Sequence, residues 1–140
     1  MVNKNIIYKA IESIDQSLKD LKKADDITYD KYLKDVRSRR FIERSLHVMI
    51  EACIDIAQHI ISDEGFREPE SYRDSFIILM ENKIIPKSQI KTYEKIAMFR
   101  NLLVHYYEKI DDEIIYSVFK NNLNDFTKFI EYIIEYMKTK

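Results

Sequence analysis

A single glycine and two prolines in 140 residues constrain this chain more than any other feature. Glycine and proline are the residues that most readily turn or break a backbone, so a chain this poor in them has few places to reverse and favours long helices. Residues 3–23 fit that expectation, placing Ile6, Ile7, Ala10, Ile11, Ile14, Leu18 and Leu21 at three- and four-residue intervals. That is the stripe of an amphipathic helix, and Asp25 and Asp26 break it. A longer helical stretch runs over residues 28–62, with Phe41, Leu46, Val48, Met49, Ala52, Cys53, Ile56, Ala57 and Ile60 as its apolar positions. It stops at Asp63-Glu-Gly65 and reads as the central core helix.

Residues 64–69 read as the main loop, and Ser71 with Asp74 three positions on is a capping signal for a short third helix carrying Phe76, Ile77, Leu79 and Met80. Pro86 ends its tail. A fourth helix over 87–105 presents Ile90, Tyr93, Ile96, Ala97 and Leu103, and a fifth over 111–137 presents Ile114, Val118, Leu123, Phe126, Ile130, Ile133 and Ile134. With no repeat, low-complexity tract or linker, the expectation is one all-α domain over residues 1–140, an up-and-down bundle of about five helices. The 46% of apolar residues is enough for its core.

Charge and cysteine usage narrow the function. The balance of 23 basic against 24 acidic residues excludes a generally basic coat, so any contact with a polyanion must come from a local patch. Cys53 is alone, cannot form an internal disulfide, and reads as a small core residue of a reducing compartment. No apolar run approaches the roughly eighteen residues of a membrane span, and the start is too short and polar for a signal peptide. The expected location is therefore the cytoplasm, away from any membrane.

The chemistry concentrates in Phe99-Arg-Asn-Leu-Leu-Val-His-Tyr-Tyr107. Arg100 brings a permanent forked charge suited to a phosphate, and His105 can give or take a proton near neutral pH, a pairing that points to a phosphodiester. Five residues of ideal helix turn through about 500°, leaving the two side chains about 140° apart, so they converge only if the helix ends or bends between them. Glu108-Lys-Ile-Asp-Asp112 reads as such a break, with His105 in the last turn. Spacing alone favours the plainer reading, a surface or capping arginine and a buried, hydrogen-bonded histidine.

That motif is the last of four blocks, after Arg40-Phe-Ile-Glu-Arg44, Ala52-Cys-Ile-Asp-Ile-Ala-Gln-His-Ile-Ile61 and Pro69-Glu-Ser-Tyr-Arg-Asp-Ser-Phe76. In order and spacing they resemble the successive blocks of HepT-like HEPN toxins along nearly the whole chain. The resemblance implies a homodimeric, metal-independent ribonuclease whose Arg-x-x-x-x-His-x-Tyr motif falls on Arg100, His105 and Tyr107, with Asn101 as the adjacent polar residue. It also implies a partner, a minimal nucleotidyltransferase antitoxin that transfers AMP onto the motif tyrosine, here Tyr107. Gln58 departs from the Asn often found before the His of the middle helix, and it keeps the amide.

RNA carries its own nucleophile in the 2′-hydroxyl, so cleavage requires no cofactor and no metal. His105 is the expected general base or acid, Arg100 the stabiliser of the phosphorane-like transition state and Asn101 an orienting amide. One motif histidine per chain falls short of an acid plus a base, and a symmetric dimer would supply both. AMP on Tyr107 would place negative charge and bulk where the substrate phosphate must sit.

Arg37, Arg40 and Arg44 would share one side of a helix. They read either as a solvated face paired with Asp35 and Glu43 or as a strip that tracks an RNA backbone. Glu43, His47, Glu51, Asp55 and His59 recur every four residues, but such a ladder drifts about 40° per step and its ends cannot face one ion. The competing class is a binding module that presents a tyrosine or a docking face to a nucleotidyltransferase and cleaves nothing. A third is a nucleotide-binding accessory domain in which Arg100 holds a small-molecule phosphate.

Overall fold

A computed structural model describes residues 2–104 and 111–140. His105 and Tyr107 of the motif, and most of the expected break that follows them, lie outside the described residues. The described residues form seven α-helices: α1 Lys4–Lys23, α2 Tyr29–Lys34, α3 Val36–Glu64, α4 Tyr72–Glu81, α5 Ile90–Val104, α6 Asp112–Asn121 and α7 Leu123–Met137. One 3-10 turn, Lys87–Gln89, leads into α5.

Helix α1 forms where the apolar stripe predicts it. The Asn3 side chain accepts from the Ile6 N–H at its start, and Ile7, Ile11, Ile14, Leu18 and Leu21 are buried along one face. The single helix expected over 28–62 is divided at Asp35. There the backbone turns extended, with φ −97° and ψ 109°; its N–H closes α2 on the Lys31 carbonyl and its side chain accepts from the Ser38 N–H to open α3. One aspartate thus ends one helix and caps the next, which requires neither glycine nor proline. Asn122 divides the expected fifth helix into α6 and α7 with its N–H bonded to the Val118 carbonyl and no side-chain cap. Helix α4 starts as expected, with Ser71 Oγ accepting from the Asp74 N–H, but it ends at Glu81, ahead of Pro86. At the end of α3, Gly65 adopts φ 71°, the left-handed conformation that closes a helix at least cost in glycine.

Helix α3 is the axis of the molecule: α1, α2, α4, α5 and α6 all pack on it. Its buried positions Ile42, Leu46, Met49, Cys53, Ile56, Ala57 and Ile60 join one continuous apolar core. Phe76, Tyr93 and Phe129 tie α4, α5 and α7 together with ring centroids 5.5–5.9 Å apart. Cys53 is the core residue the sequence predicts. Burial pushes its thiol well above the ordinary range, so it stays protonated and unreactive. No helix among the described residues is long and apolar enough to cross a membrane.

Candidate active site

The site grows from the last turns of α5. Tyr93, Ile96, Ala97, Phe99 and Leu103 fix that helix by burial, which turns Arg100 towards α3 and α4 and leaves Asn101 exposed. Arg100 Nε donates to Glu51 Oε1 at 2.9 Å, and the guanidinium carbon lies 4.6 Å from the centroid of the Tyr72 ring. The same Glu51 oxygen is 3.2 Å from His47 Nε2, one turn earlier on α3. A carboxylate from α3 and an aromatic face from α4 therefore hold the arginine of α5.

The energetics say what this contact is for. The Arg100 side chain is 22% exposed and that of Glu51 35%, and ion pairs this wet are worth only about 0–1 kcal/mol. A partly solvated cation–π contact adds about 0.5–1 kcal/mol. Such amounts change the stability of a 140-residue chain little, whereas two separate contacts, one at Nε and one at the guanidinium carbon, restrict how the guanidinium can turn. Arg100 is thus an oriented group and not a loose surface charge. Glu51 as its holder was not legible in the sequence; its one signal was membership of the four-residue ladder beside His47.

Two grooves flank α5. Asn101 opens onto one of about 550 Å³, shared with Gln58, Ser71, Tyr72 and Arg73. The other, about 560 Å³, lies between α5 and α6–α7 and is mainly apolar, with Met98, Leu102 and Ile114 among its lining. Those three side chains are 64%, 36% and 44% exposed, forming an apolar patch beside the motif.

Arg37, Arg40 and Arg44 lie exposed on α3, and none of them makes an ion pair within 4 Å among the described residues. The pairing expected with Asp35 and Glu43 falls elsewhere. Asp35 is spent on capping Ser38, and Glu43 accepts from the Tyr32 hydroxyl at 3.3 Å. Arg39 takes the structural role instead, bonded to Asp112 and stacked 4.9 Å over the Tyr32 ring. Counting 100° per residue places Arg37, Arg40 and Arg44 within about 40° of Glu51 around the α3 axis. The strip therefore points along one face towards Arg100, and Arg44 sits about 10 Å from Glu51 in axial rise.

The rest of the ladder is dispersed. Asp55 is exposed and His59 half-buried, and partial desolvation of the Asp55 carboxyl against the helix, together with the negative charge of Glu51, raises it above its usual range. Among the described residues no group of three His, Cys, Asp or Glu side chains is arranged to hold a metal ion.

A helical bundle organised in this way is a HEPN-type fold. The tri-AMPylated HEPN toxin of Shewanella oneidensis, solved in complex with an MNT antitoxin, matches with a TM-score of 0.83 and 30% identity over 93% of this chain and 97% of that one. The sequence pattern of the family described as ribonuclease HepT-like covers residues 14–133, and this chain belongs to that family. A tRNA nuclease HepT from Aphanizomenon flos-aquae is 30% identical over 134 residues, 96% of this chain and 91% of the relative. An mRNA nuclease HepT from Shewanella oneidensis is 39% identical over 83 residues, 59% of this chain and 62% of the relative.

Proposed function

We propose that this protein is the toxin of a toxin–antitoxin pair, a metal-independent endoribonuclease that an antitoxin of the nucleotidyltransferase class silences by AMPylation. The observation that carries the proposal is the oriented Arg100 beside exposed Asn101, five residues ahead of His105. An oriented guanidinium stabilises charge that develops on phosphorus, and it does so best when it need not reorganise during the reaction. His105 removes the 2′-hydroxyl proton or protonates the leaving 5′-oxygen, and Asn101 orients the phosphate. Two copies related by a twofold axis supply the second histidine. The names of the relatives support the substrate class, since one is an mRNA nuclease and one a tRNA nuclease. The AMPylated toxin in complex with MNT antitoxin supports the mode of control, which here falls on Tyr107. Arg37, Arg40 and Arg44 track the RNA backbone.

Incubating purified protein with tRNA and with total RNA, in EDTA, beside Arg100→Ala and His105→Ala, tests the reading. Wild-type protein is expected to cleave and to leave 2′,3′-cyclic phosphate ends, the product of attack by the 2′-hydroxyl. Each variant is expected to lose about 10²–10⁴ in rate. Inert wild-type protein, cleavage abolished by EDTA, or a His105→Ala variant at full rate would refute it.

A further inference from the structure

We propose that Glu51 is the positioning residue of the cleavage reaction, acting through Arg100, with Tyr72 as the platform that fixes the plane of the guanidinium. The proposal rests on the ribonuclease reading above and names a part of its machinery that lies outside the Arg-x-x-x-x-His-x-Tyr motif. Glu51 Oε1 takes the Nε–H of Arg100 at 2.9 Å, at the root of the fork. The guanidinium carbon lies over the Tyr72 ring, 4.6 Å from its centroid. With the root held by Glu51 and the carbon held by Tyr72, the Nη end of the fork is the part that meets two oxygens of a phosphate, the bidentate geometry for which arginine is suited. His47 Nε2 lies 3.2 Å from the same carboxylate oxygen and helps hold it in place on α3. A carboxylate placed across the Nη end would instead compete with the phosphate; at Nε it orients the arginine and leaves the anion's side of the fork clear.

The experiment separates this role from a merely structural one. Glu51→Ala is expected to lower kcat by about 10²-fold through misplacement of Arg100, with little change in KM. Glu51→Gln keeps an oxygen that accepts from Nε and is expected to recover most of that loss. In an Arg100→Lys background, where there is no Nε–H to hold, Glu51→Ala is expected to add little, the non-additivity of groups that act as one unit. A second readout is independent of cleavage: the Arg100 Nε–H resonance, assigned by its loss in Arg100→Lys, is expected to be protected from exchange in wild-type protein and Glu51→Gln, and to broaden in Glu51→Ala. If wild-type protein cleaves no RNA, the ribonuclease reading fails while the resonance still tests the clamp. Glu51→Ala cleaving at or above the wild-type rate, an equal loss in the Arg100→Lys background, or an unchanged resonance would overturn the proposal.

Discussion

In the proposed reaction, arginine serves at position 100 for its shape as much as for its charge. Lysine can supply a cation there, but it has neither an Nε–H for Glu51 nor a planar face for Tyr72. Arg100→Lys is therefore expected to lose about 10²–10³ in kcat with its helical circular dichroism intact, and a rate near wild type would show that charge alone suffices. The candidate motif of Arg100, Asn101, His105 and Tyr107 can be read from the sequence because it falls within one short run of the chain, of which the structure describes Arg100 and Asn101. Glu51 and Tyr72 cannot, because they sit on two other helices and only packing brings them to α5. Tyr107 carries a prediction of its own. After co-expression with a partner nucleotidyltransferase and ATP, mass spectrometry is expected to find AMP on the peptide containing Tyr107, and Tyr107→Phe is expected to stay unmodified. Modification solely elsewhere, or a modified protein that still cleaves at full rate, would sink control through this residue, since phosphate bulk and charge beside His105 must exclude the substrate.

At the scale of elements, the strip on α3 makes a quantitative claim. Each arginine that neutralises a phosphate of single-stranded RNA contributes about 0.7 to the slope of log affinity against log salt. Replacing Arg37, Arg40 and Arg44 together by alanine is expected to flatten that slope by about 2 for a non-cleavable 2′-deoxy oligonucleotide. An unchanged slope would make the strip an ordinary solvated face. Helix boundaries were partly legible: Ser71 announced α4 and Gly65 closed α3, because a capping hydroxyl and a left-handed glycine each have a local cause. The breaks at Asp35 and Asn122 were hidden. Aspartate and asparagine occur freely on helix surfaces, and only the backbone reveals that the Asp35 side chain has turned to cap Ser38. Ser71→Ala is expected to cost about 1 kcal/mol of stability, read as a lower urea midpoint.

For the whole molecule, acid sensitivity and association both follow from where charges and apolar groups lie. The Arg67 guanidinium holds the Asp74 carboxyl below its usual range, so the stability it contributes is present at neutral pH and is lost as pH falls below about 4. Burial raises Glu43 above its range, so Glu43 favours the folded state as it takes up a proton on acidification. Urea midpoints measured from pH 7 to 3 are therefore expected to decline less steeply in Asp74→Asn than in wild-type protein, and more steeply in Glu43→Gln. The proposed association uses the other side of α5. Met98, Leu102 and Ile114 expose an apolar patch that begins one helical turn from Asn101, and a patch of this kind rimmed by polar groups marks a contact surface. A second copy seated there would bring two motifs to one cleft, which the acid–base chemistry of the proposed reaction calls for. Because Met98 is 64% exposed, a charge at that position costs the single chain little, so Met98→Glu separates association from folding. The variant is expected to sediment as a monomer, to keep its helical content and to lose RNA cleavage, while the wild-type chain sediments as a dimer. A wild-type monomer that cleaves, or a Met98→Glu dimer with full activity, would show that the site is complete within one chain or that the copies meet on another face.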